Sequence, residues 1–411
     1  MIELMKPYID NNRLYFDLKI DKETKTVWFE VEKEYEKYLC DDRVDAIVVG
    51  LLHYAMVNNH DIKSNSYITE ELLYKINNYL LPSLTKYDKK LHNIKIDIKT
   101  KEACENAGAV GTGCSCGVDS IHAYLNNKDR KEKQFKLTHL CINNVGAFNE
   151  TYKDEGIDKV REARYKKSKE FAKKVKLPLI VTNSNFYDEI YQNHSYSHTY
   201  SSTFAVLCLQ KLWKTYYYGS SGYDYTAFNI VDTSEHDCSC YELLSLDVFS
   251  TNNLNIYSEG AAEDRLEKTR LIANSQIAKA FLHVCIKKED NCGVCPKCMR
   301  TLLTLDALNI DLNEYKKVFD IDYYNKNKND YYEWIHKEHL WSDKSINEAT
   351  YQLLLKKQEF KKFVEKYNKD NNIGKPIDYK EEYEKVINSK TFKLGDKILK
   401  IPRKLKSIIK K

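Results

Sequence analysis

From about residue 104 to Gly219, short apolar runs alternate with longer amphipathic ones, and this alternation restricts the architecture more than any other property of the chain. Ala107–Gly111, Lys136–Asn143, Leu177–Thr182 and Thr215–Gly219 read as strands, with helical patterns at Val118–Asn126, Ile157–Val175 and Ser201–Trp213 between them. A strand that returns parallel to its predecessor needs a crossover, and a helix is the usual one. Repeated units of this kind predict a mostly parallel sheet covered by helices, an α/β fold of Rossmann-like type. Ligands of such sheets sit outside the carboxyl ends of the strands.

The first of those ends carries the most chemically suggestive stretch, Gly111 to Ser120, which reads GTGCSCGVDS. A turn of small residues between a strand and a helix leaves backbone N–H groups and hydroxyls pointing into one concavity, with a helix N-terminus behind it. That combination favours phosphate. Two rival glycine patterns fail. After Gly111 and Gly113 the next glycine is Gly117, one residue too far for the dinucleotide fingerprint, and Asn143 and Asn144 stand where that motif expects an acid. No Gly-Lys-Ser/Thr closes the loop, which removes the Walker A reading.

Five of the six positions from Ser115 to Ser120 match Ser-Gly-Gly-x-Asp-Ser, and Cys116 replaces the first of the paired glycines. Over about residues 104–300 the chain thereby resembles the PP-loop ATP pyrophosphatases. The resemblance implies a nucleotide-binding sheet of that type, with ATP lying across the strand ends and its β and γ phosphates leaving together. Carried onto this sequence, it implies a nucleotide-binding segment from Ser115 through Cys116, Gly117, Val118 and Asp119 to Ser120. Ser115, Gly117 and Ser120 would hold the pyrophosphate, and Asp119 would help place Mg²⁺ or the phosphates. Asp119 and Ser120 are the expected catalytic residues, and backbone groups near Ile142 and Asn143 would meet the adenine. Cys116 is the departure, because a residue with a Cβ does not freely adopt positive φ. With Cys114 at the same helix N-terminus it is also a candidate persulfide carrier.

A second cluster follows. Cys292, Cys295 and Cys298 form a C-x₂-C-x₂-C run, and Cys285 precedes it. Such spacings let thiolates converge on one ion, and four of them satisfy tetrahedral Zn²⁺ without water. An iron–sulfur cluster uses similar spacing, and Cys238 or Cys240 are alternatives to Cys285 as the fourth ligand. A cysteine followed by this run at the end of a PP-loop region resembles the 7-cyano-7-deazaguanine synthase family, whose members adenylate a carboxylate and let ammonia displace AMP. The resemblance covers the loop and the cysteines, so it implies a reaction type and not a substrate.

Arg265 and Lys268, opening a long helical pattern from Asp264 to Cys285, are placed to reach phosphates or an anionic substrate. Gly219 to Gly222 would let a substrate approach the backbone, and the polar-thiol segment from His236 to Cys240 lies shortly after it.

Three segments are expected: a small α+β module over 1–100, the ATP pyrophosphatase region with its Cys₄ site over 101–310, and a helical region with a basic tail over 311–411. The module would hold a hairpin (Arg13–Ile20 with Lys25–Val31), helices at Asp45–Asn58 and Thr69–Leu81, and a strand at His92–Ile98. Residues 390–411 carry nine Lys/Arg against Asp396, a net of +8, which leaves −3 for the rest of a chain totalling +5. That balance argues against a nucleic-acid-binding core, while the tail suits peripheral contact with an anionic membrane or an acidic partner. The chain opens without a secretory signal pattern and carries twelve cysteines, a combination expected of a reducing cytoplasm. The functional expectation is an adenylating enzyme using ATP, Mg²⁺ and Zn²⁺ on a small-molecule or protein-linked acceptor. Its alternatives are ATP-dependent thiolation and a non-catalytic nucleotide- and zinc-binding protein.

Overall fold

The computed structural model describes residues 1–147, 157–220, 225–234, 236–285, 287–342, 345–373 and 388, with only the backbone of 157–160. The basic segment 390–411 and Gly222 lie outside these residues. By contact, residues 1–357 form one unit and 358–411 a second, of which the helix Gln358–Asp370 is described.

Among the described residues eleven strands form one sheet: β1 (Ile2–Leu4), β2 (Tyr8–Asp10), β3 (Arg13–Ile20), β4 (Glu23–Glu30), β5 (Ile62–Thr69), β6 (Ile96–Lys101), β7 (Ala109–Gly113), β8 (His139–Asn144), β9 (Leu179–Ser184), β10 (Trp213–Gly219) and β11 (Asn255–Glu259). Their order is β11-β10-β7-β8-β9-β4-β3-β1-β5-β6, with β2 paired to β3. The five strands β7 to β11 are mutually parallel. From β7 the chain moves one way through β8 and β9, then returns to place β10 and β11 on the other side. The direction reverses between β7 and β10, the switch point at which open α/β sheets bind ligands.

The first hundred residues continue this sheet. Phe29 and Glu30 of β4 pair antiparallel with Ser184 and Asn183 of β9, and Glu32 accepts from the Val181 N–H at 3.0 Å. The β3–β4 hairpin is closed by Asp21, whose φ of 53° supplies the left-handed turn. The helix Asp45–Asn58 is buried on nearly every side and packs on the helix His194–Cys208, so one apolar core runs from Ile2 to Ile256. Burial of this extent, at about 25 cal/mol per Å² of apolar surface, is what orders the helix despite its lack of a polar face.

Several sequence boundaries shift. The strand before the phosphate loop is Ala109–Gly113 instead of Ala107–Gly111. The segment expected as a helix from Ser201 to Trp213 ends at Cys208, and Trp213 opens β10. The long helix expected from Asp264 to Cys285 is two helices, Arg265–Ala273 and Gln276–Phe281. Ser275 breaks it, because its side chain accepts from the Ile277 N–H and caps the second helix. In the region expected as a helix from Thr69, β5 occupies the chain up to Thr69 and the helix begins at Glu70.

Candidate phosphate-binding and metal sites

The loop Cys114–Gly117 lies between the end of β7 and the helix Val118–Asn127, at the switch point. It is pinned from several directions. The Cys114 N–H donates to the Cys141 carbonyl at 2.7 Å, the Ser168 hydroxyl donates to the Cys114 carbonyl at 2.6 Å, and the His283 N–H donates to the Cys116 carbonyl at 2.8 Å. Ser115 Oγ accepts from the Gly117 N–H at 3.3 Å and donates to Ser120 Oγ at 3.3 Å. The hydroxyls of Ser115 and Ser120 and the amide of Gly117 are therefore brought together, as the sequence predicts.

Cys116 takes the conformation expected of the glycine it replaces, with φ at 59°. For a residue with a Cβ that conformation costs about 1–2 kcal/mol. Its side chain is 1% exposed and lines neither cavity of the site, whereas Cys114 borders one of them. The Cys116 thiol is held below the ordinary range by its hydrogen bond with Cys114, while burial opposes that shift. Cys114 is pushed up by the same hydrogen bond and by burial.

Two cavities meet at the loop. The larger, about 320 Å³, is lined by Thr112 to Ser115, Asp119, Ser120, Cys141 to Asn143 and Tyr216 to Gly219. It joins the loop to Ile142 and Asn143 and thus to the region expected to meet a base. The smaller, about 190 Å³, opens at the N-terminus of the helix Val118–Asn127 and is lined by Ser115, Gly117, Val118, Asp119, Arg164, Arg265, His283, Lys297 and Arg300. Four cationic side chains thus face one carboxylate there.

That carboxylate is already engaged. Asp119 Oδ1 lies 2.8 Å from Arg265 Nη1 and 3.6 Å from Lys268 Nζ. Burial alone would raise its pKa, but Arg265 and Lys268 overcome it and hold Asp119 below the usual carboxylate range. A carboxylate committed to two cations is a poor ligand for Mg²⁺, so the residues present do not fit Asp119 as a magnesium site. They fit it as the group that positions Arg265 and Lys268. The ammonium of Lys268 is fully buried and donates to the Ser220 carbonyl at 2.9 Å. Gly260, at φ 80°, makes room for it: a Cβ there would stand 2.8 Å from Lys268 Cε.

Arg265 lines the smaller cavity, where the sequence places it, whereas Lys268 is sealed from both cavities and reaches only Asp119 and the Ser220 carbonyl, because burial beneath Gly260 turns its ammonium inward. Arg164, His283, Lys297 and Arg300 were not anticipated. Lys297 is exposed, its accessible surface opening on the pocket, yet burial and then Arg265, Arg300 and Arg164 lower its pKa against the opposing pull of Asp119. His283 is 4% exposed, and burial brings its pKa down to about 4, so it is neutral; its Nε2 has no partner among the described residues.

The sulfur atoms of Cys285, Cys292, Cys295 and Cys298 all lie within 4.8 Å of one another. Zn–S bonds of about 2.3 Å in a tetrahedron require sulfur separations of roughly 3.8 Å, so the four residues fit a zinc ion as a closed, structural set. Cys285 takes the fourth position; Cys238 is instead bonded to Thr199, 3.3 Å from its N–H. Asn291 braces the knuckle, accepting from the Val284 and Cys285 N–H groups and donating to the Leu282 and Val318 carbonyls. Lys297 lies between two of the metal-site cysteines, and Arg300 follows on the helix Pro296–Ala307 that starts there. The Arg164 guanidinium donates to the Cys285 carbonyl. The cysteine cluster therefore delivers part of the cationic wall.

Among the described residues no helix is long and apolar enough to cross a membrane. In comparisons with known proteins, no family model, curated protein or solved structure matches this chain significantly.

Proposed function

We propose that the chain is an ATP-dependent adenylating enzyme that releases pyrophosphate. The observation that carries this reading is the cationic pocket at the N-terminus of the helix Val118–Asn127, continuous through Ser115 and Asp119 with a cavity that reaches Ile142 and Asn143. An elongated, anionic ligand with a base at one end fits that pair of cavities. The helix dipole, the Gly117 amide and the serine hydroxyls favour the phosphate end.

In this reading an acceptor carboxylate or amide oxygen attacks the α-phosphorus, and the bond to the bridging oxygen breaks. The departing pyrophosphate gains negative charge next to Arg164, Arg265, Lys297 and Arg300, which stabilise it without moving. Lys268 and Asp119 hold Arg265 in place, and neutral His283 offers a donor that adds no further charge. Mg²⁺ would enter with the nucleotide. The zinc set would fix the geometry of Lys297 and Arg300. A nitrogen nucleophile would then displace AMP. The sulfur alternative rests on Cys114 alone, since Cys116 is sealed from both cavities.

The test is product identification after incubation with ATP, Mg²⁺, ammonium and a panel of carboxylates. AMP in equal amount to pyrophosphate, abolished by Arg265→Ala, is expected. Nucleotide binding with no turnover across the panel would favour the non-catalytic alternative.

A further inference from the structure

Away from the phosphate end, Tyr218, His198 and Asp237 form a continuous hydrogen-bonded chain that the adenylation step does not use. Tyr218 Oη lies 2.8 Å from His198 Nδ1, and His198 Nε2 lies 2.8 Å from Asp237 Oδ1. Tyr218 lines the larger cavity, and so does Ser202, one helical turn beyond His198. The imidazole is largely buried, with 12% of its side chain exposed. His198, Asp237 and Cys238 are close enough to suggest a second metal site. The hydrogen bonds argue otherwise. Asp237 Oδ1 also accepts from the Ser239 N–H at 3.0 Å and the Ser239 hydroxyl at 2.5 Å, so it is saturated by protons.

We infer that Asp237 and His198 orient Tyr218 as a hydrogen-bond donor to the carbonyl oxygen of the adenylated acceptor, a role that rests on the adenylation reading. The groups facing His198 are Asp237, Cys238, Tyr218, Glu242 and His194. Burial opposes its protonation, but Cys238 and then Asp237, 2.8 Å from Nε2, outweigh it, raise its pKa well above the ordinary range and hold the ring as an imidazolium. Both ring N–H groups then donate, one to Asp237 and one to Tyr218. Because the phenol oxygen accepts from His198, its own proton is left for the cavity. Tyr218 is pushed up to about 12, chiefly by burial, so at neutral pH it is a donor and not a base.

The step balances without proton transfer from Tyr218. The nitrogen lone pair forms the C–N bond while the carbonyl π pair moves onto oxygen, where the Tyr218 hydroxyl donates. That pair returns as the C–O bond to AMP breaks, and the nitrogen loses its proton to solvent. Tyr218 touches the reacting carbonyl; His198 and Asp237 are positioning residues.

Two adenosine compounds test the role without knowledge of the acceptor: 5′-O-(N-acetylsulfamoyl)adenosine, which carries the carbonyl, and 5′-O-sulfamoyladenosine, which lacks it. Tyr218→Phe should weaken the acetylated compound on the order of tenfold and leave the other unchanged. His198→Gln should do the same, with ATP binding preserved in both. Nitrogen-15 spectra should show the His198 ring doubly protonated at neutral pH in the unaltered protein and singly protonated in Asp237→Asn. Equal weakening of both compounds, an unchanged affinity for the acetylated one, or a neutral His198 ring would overturn the donor role. If ATP and both compounds fail to bind the unaltered protein, the adenylation reading falls, and the donor role with it.

Discussion

Stripping the metal ion that the four cysteines would hold should weaken pyrophosphate binding on the order of a hundredfold, even though no residue of the Cys114–Gly117 loop is touched. Two of the pocket's cations, Lys297 and Arg300, belong to the cysteine knuckle and the helix that leaves it, and Arg164 bonds to the Cys285 carbonyl. Apparent zinc affinities of about 10–16 kcal/mol are comparable with the whole stability of a domain, so the knuckle will not keep its shape without the ion. Each charge-assisted hydrogen bond to pyrophosphate is worth about 1.5–3 kcal/mol, and losing two corresponds to roughly 10² to 10⁴ in affinity. Lys297 is exposed, so solvent screening sets the expectation at the lower end, on the order of a hundredfold. The assay is calorimetric titration of inorganic pyrophosphate before chelation, after it, and after zinc is restored. Circular dichroism would verify that the sheet survives. A chelated, metal-free protein that binds pyrophosphate within about threefold of the original would refute the reasoning, since that change is smaller than one hydrogen bond. So would protein that purifies without metal and binds normally.

The loop and sheet give further expectations. Cys116→Gly should retain pyrophosphate binding and change stability by no more than about 1 kcal/mol, because relief of the φ 59° strain is offset by loss of a buried thiol bonded to Cys114; loss of pyrophosphate binding would contradict this. Gly111→Ala should destabilise by about 1–3 kcal/mol in urea unfolding, since its Cβ would lie 2.8 Å from the Trp213 ring. Lys297 carries the pH dependence. Its folded pKa is lowered, so it sheds its proton earlier than an ordinary lysine, and pyrophosphate affinity should begin to fall below the usual range near 10.4. Between the folded and unfolded pKa values the unfolded chain binds more protons, so stability without ligand should rise with pH there. Lys297→Met should remove both trends, and titrations across that window that match the unaltered protein would count against the assignment.

The parts of the site legible in the sequence are those whose chemistry is local. The turn Cys114–Gly117 and the cysteine run declare themselves by spacing, and Arg265 and Lys268 by opening a helix next to a strand end. Arg164, His283 and Arg300 carry no such signal, because only tertiary packing brings them to the loop. Lys297 could have been found by asking where a lysine between two metal-site cysteines must point. The continuation of the sheet through β4 and β9 was hidden for a related reason: a hairpin that alternates apolar and polar residues looks the same whether it stands alone or joins an edge. Helical periodicity across Asn274 and Ser275 concealed a break that a single serine cap is enough to impose.

In the proposed reaction the bond between the α and β phosphates is the one broken at this loop. Parallel reactions with ATP labelled at the α or the γ phosphate, in the presence of Mg²⁺, ammonium and an active acceptor, test it directly. The expected result is α label in AMP and γ label in pyrophosphate, both lost in Arg265→Ala. Label in ADP and inorganic phosphate would contradict it.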